Sequence, residues 1–276
     1  MDSMQTAFGW AQDVDPAPQL PTSKPAPQRG QLPPNVEAAL WRGDELGAPV
    51  VATLSSGWRE LDAELPGGGW GCHAVTEVLS PQDSVLEWRL LAPALRPIVA
   101  AGQQIVIVGP PKRPHLPGIA RAGIDQRHLV WIDVDMPADR LWATEQLIKG
   151  ASTGALLSWL PHVRAEQIRR LQVAAHACAG PVFLLRHESA RHEASAAPLR
   201  ALATLDIDWA LRVQILKRRG PVHDGQVVLS SIPSGIDSVL TPRLRRPSDI
   251  LARREAPHAL GSATPAARRR RFASVS

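Results

Sequence analysis

Few titratable side chains in this chain have a spacing that suggests chemistry. His187-Glu188 and His192-Glu193 come nearest to a hydrolytic metal signature. A helix-borne zinc pair needs H-E-x-x-H, so that both imidazoles share one face. Positions 187 and 192 are five apart, which on a helix turns the two rings about 140° from each other. The segment therefore reads as a polar loop or a helix start, with no metal. No Ser, His and Asp stand in a context that would assemble a nucleophilic triad. The run Gly67-Gly68-Gly69 is explained by turn chemistry. The stronger signal is cationic. From Thr241 to Ser276 there are nine Arg, no Lys and two acids, a net charge of +7. Arg243, Arg245 and Arg246 form one cluster and Arg253 and Arg254 a second, with Arg268, Arg269, Arg270 and Arg271 as the third. A guanidinium forks onto phosphate or carboxylate with paired hydrogen bonds. These clusters are candidate contacts for DNA or for a partner protein. The same composition also suits a charged tail that only aids solubility.

The whole chain of 276 residues carries +5, from 31 basic and 26 acidic side chains. With +7 in the tail, the remainder carries −2, so a nucleic-acid or acidic-protein contact is expected to start at the tail. Cys72 and Cys178 are the two cysteines. They are too few for a metal cluster or a disulfide framework and suit a reducing compartment. No apolar run reaches the roughly 18 residues of a membrane span. Met1 to Ala11 lacks the basic region and apolar core of a secretory signal. The expectation is a cytoplasmic protein without membrane contact. Nine Trp accompany three Phe and no Tyr, a bias to which the sequence attaches no function.

The elements that would position these groups divide the chain in three. Residues 1–34 carry Pro16, Pro18, Pro21, Pro25 and Pro27, which exclude a regular helix or central strand. They read as a disordered arm. Residues 35–240 read as the core, opening with a short helix from Asn35 to Arg42. Strands are expected at His73–Leu79, Gln104–Gly109, His128–Ile132, Gly154–Trp159 and Val182–Leu185. Helices are expected at Ser84–Ala101, bent or broken by Pro93 and Pro97, and at Pro137–Lys149 and Arg164–Ala179. Trp209–Leu216 and Gln226–Ser231 read as a closing hairpin turned through Gly220–Gly225. Alternating apolar strands and helices imply an α/β fold with a mostly parallel sheet flanked by helices, the hairpin adding antiparallel strands at one edge. Residues 241–276 show no apolar periodicity and are expected to be a disordered, Arg-rich tail.

One stretch carries a family resemblance. Ser55-Ser56-Gly57-Trp58-Arg59-Glu60-Leu61-Asp62, followed by Leu65-Pro66-Gly67-Gly68-Gly69, Gly71 and Val75-Thr76-Glu77-Val78, resembles the entry to a RecA-type ATPase core. In active relatives the strand runs into a phosphate loop, G-x-x-x-x-G-K-[ST]. Its backbone N–H groups cradle phosphates, its Lys neutralises charge and its hydroxyl holds magnesium. The resemblance aligns Ser80-Pro81-Gln82-Asp83-Ser84-Val85-Leu86-Glu87 with that loop. Ser80 and Val85 then replace the two glycines, Leu86 replaces the Lys and Glu87 the hydroxyl residue. Ser158 falls where the family's magnesium-positioning Asp belongs. Asp133 and Asp135 lie near the place of a catalytic Glu, though a helix-dipole role explains them better. The implication is a degenerate core with no nucleotide cofactor and no catalysis.

The wider pattern resembles the ImuA family of RecA-like proteins. It includes Leu40-Trp41-Arg42, Glu77-Val78-Leu79-Ser80-Pro81-Gln82, Gly154 to Leu160 and Trp209 to Gly220, and spans roughly residues 32–231. The resemblance implies an accessory subunit of a damage-induced (SOS) mutagenic translesion DNA synthesis complex. The implied partners are an ImuB-type inactive Y-family polymerase and, indirectly, an error-prone DnaE-type polymerase. RecA, and DNA through the basic tail, are further implied contacts. One alternative is a SulA-like cell-division inhibitor binding the tubulin-like division protein, although such chains are shorter. Another is an active RecA-type ATPase, which would have to tolerate Leu86 and Ser158.

Overall fold

The computed structural model describes residues 52–83, 86–220, 224–233 and 236–255, with the backbone alone for 253–255. Every described residue belongs to one compact unit, within 43–276. The expected arm, the helix at Asn35–Arg42, and Arg268 to Arg271 lie outside the described residues.

Ten strands and seven α-helices follow one another along the described residues. A two-stranded ribbon pairs β1 (Thr53–Leu54) with β2 (Trp70–Gly71), and α1 (Arg59–Asp62) lies between them. The main sheet opens with β3 (Val75–Ser80), after which α2 (Glu87–Ala100) leads to β4 (Ile105–Val108) and α3 (Leu116–Arg121) to β5 (Leu129–Ile132). Then come α4 (Pro137–Gly150), β6 (Ala155–Trp159), α5 (Ala165–Ala175), β7 (Val182–His187) and β8 (Leu199–Leu205). The hairpin β9 (Ala210–Lys217) and β10 (Gln226–Ser230) closes the sheet, and α6 (Pro242–Arg245) and α7 (Pro247–Glu255) end the described chain.

The eight-stranded sheet has the order β10-β9-β8-β3-β7-β6-β4-β5. From β8 to β5 neighbouring strands run parallel; β9 pairs antiparallel with β8 and with β10. The alternation of each strand sends side chains to two separate cores. Ile105, Ile107, Leu157, Phe183 and Leu185 pack with α2 and Ile119 of α3. Val106, Val108, Leu156, Val182 and Leu184 pack with Leu141 and Ile148 of α4 and Ile168 and Leu171 of α5. The protein is thus an α/β molecule with a mostly parallel mixed sheet, helices on both faces and an antiparallel hairpin at one edge.

Several elements differ from the sequence expectation. Helix α2 runs unbroken through Pro93 and Pro97. Each proline removes one helical donor, but Leu90, Leu91, Ala94, Leu95, Ile98 and Val99 are buried against the sheet, and that packing outweighs the lost bonds. The strand β8 was not foreseen. Its sequence Leu-Arg-Ala-Leu-Ala-Thr-Leu mixes Ala and Arg, residues with weak strand preference, yet Leu199 to Ala203 are buried between β3 and β9. The short helix α3 also lacked a clear apolar stripe. Finally, residues 242–255, read as structureless, form α6 and α7. Pro242 and Pro247 each occupy a first helical position, and Thr241 Oγ1 caps the Leu244 N–H at 3.4 Å.

Candidate functional site

Strands β4 to β7 lie on one side of β3, and β8 to β10 on the other. The chain order therefore reverses at β3, and open α/β sheets hold ligands outside the carboxyl ends of the strands at such a point. The turn that leaves β3 is the stretch from Ser80 to Glu87, which enters α2.

Local hydrogen bonds fix the approach to this turn. The Asp62 carboxylate accepts from the Ser55 hydroxyl at 2.6 Å and from the Ser56 N–H at 2.7 Å. Gly57 has φ +78°, and a Cβ there would stand 2.4 Å from the Pro93 Cβ. Only glycine fits that conformation and that approach. Trp58 donates its indole N–H to the Leu90 carbonyl at 3.0 Å, and Leu61 is buried. The Gly57, Leu61 and Asp62 positions of the entry pattern thus clamp the ribbon and α1 onto helix α2.

Three described residues of the turn, Ser80, Leu86 and Glu87, are buried. Leu86 is 1% exposed and is an inward-facing apolar side chain of the core under α2. Glu87, the first residue of α2, is also 1% exposed and faces the interior rather than an open loop. Ser80 is buried, with its hydroxyl 3.5 Å from the Gln82 carbonyl. Ser84 and Val85 lie outside the described residues. The other aligned positions are held elsewhere. Ser158 is wholly buried and shares a 2.6 Å hydrogen bond with Thr144 of α4. Asp133 and Asp135 follow β5, the edge strand, four strand spacings or about 19 Å from β3. The structure does not gather these residues into one site.

A buried ion network lies beside the turn instead. Arg186 of β7 donates to Glu77 at 2.8 Å and to Glu193 at 2.7 Å. Arg200 of β8 places its Nε 2.6 Å from the second Glu77 oxygen, as an ion-pair contact without hydrogen-bond alignment. Arg200 also donates to the carbonyls of Ala190 at 2.7 Å and Glu193 at 3.0 Å. Two cations thus face two carboxylates across β3, β7 and β8. Glu193, one of the acids in the His-Glu pairs, is used here. His187 and His192 lie at the two ends of the 3-10 turn Glu188–His192, with His187 Nδ1 3.0 Å from the Ser189 hydroxyl. Cys72 and Cys178 are free and buried, and burial pushes the Cys72 thiol above its usual pKa, aided by the nearby Cys178.

The basic tail meets the body of the protein around its first cluster. Arg245 of α6 donates to the Asp237 carbonyl at 2.8 Å and to the Leu240 carbonyl at 3.3 Å. Trp209 donates its indole N–H to the Leu244 carbonyl at 3.0 Å. Arg243 lies in α6, Arg246 just after it, and Arg253 and Arg254 in α7. Arg243 and Arg246 are exposed.

One group was missed by sequence reasoning. Trp58, Trp88 and Trp159 line a cavity of about 430 Å3 together with Arg89, Lys112 and Arg113. Arg89 is anchored by the Ser231 carbonyl at 2.6 Å and the Trp209 carbonyl at 2.6 Å, and burial pulls its guanidinium below the usual arginine pKa. The available signal was the excess of Trp and the basic, Pro-rich loop Pro110-Pro111-Lys112-Arg113-Pro114. Among the described residues no helix is long and apolar enough to cross a membrane. No protein-family model matches this chain, and no curated protein does.

Proposed function

We propose that this chain is a non-catalytic, RecA-like accessory protein of the ImuA type. It serves a damage-induced mutagenic complex that carries out translesion DNA synthesis in the cytoplasm. It works through protein contacts, with an ImuB-type inactive Y-family polymerase as direct partner and an error-prone DnaE-type polymerase reached through it. RecA is a further partner, and the Arg-rich tail a contact for DNA. The order of the ImuA-like motifs along the chain supports the family reading.

The single observation that carries the non-catalytic reading is the position of Leu86. The turn after β3 stands where a parallel α/β sheet of this kind would hold phosphates, and Leu86 is folded into the core at the lysine position. A buried leucine cannot neutralise a phosphate, and Glu87 adds a carboxylate to the same helix start.

Co-purification of the tagged full-length chain with candidate partners, at low and high salt, tests the reading. Recovery of an ImuB-type protein or of RecA supports it. Recovery of the tubulin-like division protein alone replaces it with the SulA-like reading. ATP turnover by the purified chain, lost on substitution between Ser80 and Glu87, replaces it with an active ATPase.

A further inference from the structure

We infer that the tryptophan-lined cleft beside α2 binds the bases of single-stranded nucleic acid. The cleft adjoins the end of the turn after β3 through Trp88 and Arg89, but no described residue of that turn or of the Arg-rich tail lines it, and the inference does not rest on the ImuA-like reading. Its volume, about 430 Å3, lies within the range of ligand sites. It is walled by α2, by the loop after β4, by α3 and by residues 231–233. Among the described lining residues there is no carboxylate, while Arg89, Arg96, Lys112 and Arg113 are cationic. The field inside therefore favours an anion.

The aromatic groups identify the anion's other half. Trp58 and Trp88 are each half-buried in the wall, leaving part of each ring open to a ligand. Trp159, also lining the cleft, is 2% exposed, and its Nε1–H is buried without a hydrogen-bond partner. A buried indole N–H without an acceptor costs free energy that a ligand acceptor would recover. Base carbonyls and ring nitrogens are such acceptors. Arg113 already stacks over Trp131, 5.8 Å from the ring centroid, which holds it at the cleft rim as a phosphate contact. Indole faces, a lone donor and a basic rim together are the features of single-strand sites, where bases stack on aromatic rings and the backbone follows positive charge. A duplex keeps its base faces covered and offers none to stack. An acidic peptide would satisfy the cations but leave the indole faces without use.

Fluorescence anisotropy with the full-length chain tests this at one fixed salt concentration, using oligothymidylate of about 12 nucleotides and an abasic deoxyribose-phosphate oligomer of equal length. The base-bearing oligomer is expected to bind about tenfold or more tightly and to quench tryptophan emission. Lys112→Glu, at an exposed position, should weaken it severalfold, and Trp88→Leu should remove most of the preference for bases. Equal affinity for the two oligomers would assign binding to the tail alone and overturn the inference. So would unchanged oligothymidylate affinity in Lys112→Glu, or capture of an acidic peptide with no oligomer binding. Oligodeoxyuridylate and oligouridylate arms, which differ only in the 2′-hydroxyl, separate the sources: equal binding means base and phosphate suffice, and a preference names DNA or RNA as the natural strand.

Discussion

The Asp208 carboxylate accepts two hydrogen bonds from Ser248, one from the backbone N–H at 2.9 Å and one from the hydroxyl at 2.5 Å. Asp208 and Trp209 both have left-handed backbone, with φ of +62° and +63°, and Trp209 reaches α6 through its indole N–H. The strained pair thus clips the start of the basic tail to the sheet. The Ser248 hydroxyl and N–H, in that order, hold the Asp208 carboxyl below the usual carboxylate pKa, with Arg246 adding to them.

A depressed carboxylate pKa favours docking wherever Asp208 is ionised. The clip should therefore be intact above the ordinary Asp value of about 3.9 and open as pH falls through the lower folded value. Hydrogen exchange at residues 247–252 reads this directly. Exchange should be slow at neutral pH and fast in Ser248→Ala and Asp208→Ala. Equal protection in wild type and both variants would contradict the clip.

Glu77→Ala should destabilise the protein by about 3–5 kcal/mol, because it leaves Arg186 and Arg200 buried without their shared carboxylate. Arg186 and Glu77 side chains are 1% and 0% exposed. Guanidinium denaturation midpoints measure the loss. Removing both Glu77 and Arg186 should cost less than the sum of the single changes, and strict additivity would show that the pair is not coupled.

Gly57→Ala places a Cβ 2.4 Å from Pro93 in a φ of +78°. The cost expected from backbone strain is about 1–3 kcal/mol, with the clash added to it. Thermal unfolding should show a lower midpoint, and Pro93→Gly in the same chain, which removes the opposing Cβ, should recover part of it. A neutral Gly57→Ala would mean that the ribbon moves freely over α2.

Leu86→Lys tests the reading of the turn. If the position were an open phosphate loop, a lysine would confer nucleotide binding. In the core it should instead cost about 2–5 kcal/mol, the range for losing a buried leucine, with charge burial adding to it. Thermal shift with and without ATP and magnesium separates the two. Stabilisation by nucleotide in the variant would refute the buried placement.

The legible parts of this fold are those where local pattern and tertiary role agree. The apolar runs of β4, β6 and β7 are buried on both faces, so their Val, Ile and Leu content is visible along the chain. The hairpin β9–β10 alternates buried and exposed residues and is equally plain. In β8 the pattern and the role diverge: Arg200 looks like a surface residue until Glu77 is seen opposite it in the register. The prolines of α2 mislead for the same reason, since the burial that outweighs them comes from the sheet. In the tail, Thr241-Pro242 and Pro247-Ser248 were true helix starts, masked by the weight of Arg. The cleft was the least legible feature. Trp58, Trp88, Lys112 and Trp159 are scattered along the chain, and only the fold brings them together around one cleft.

The central position of β3 also governs how the molecule is made. Val75 pairs with Val182, a separation of 182 − 75 = 107 residues, and β8 comes later still. At roughly 5–20 residues per second on the ribosome, β3 waits about 5–20 s with both edges unpaired. During that interval an apolar strand stands open to other chains. Glu77, at its middle, is then a solvated negative charge that discourages such pairing, and it becomes a buried ion-pair partner only when β7 and β8 arrive with Arg186 and Arg200.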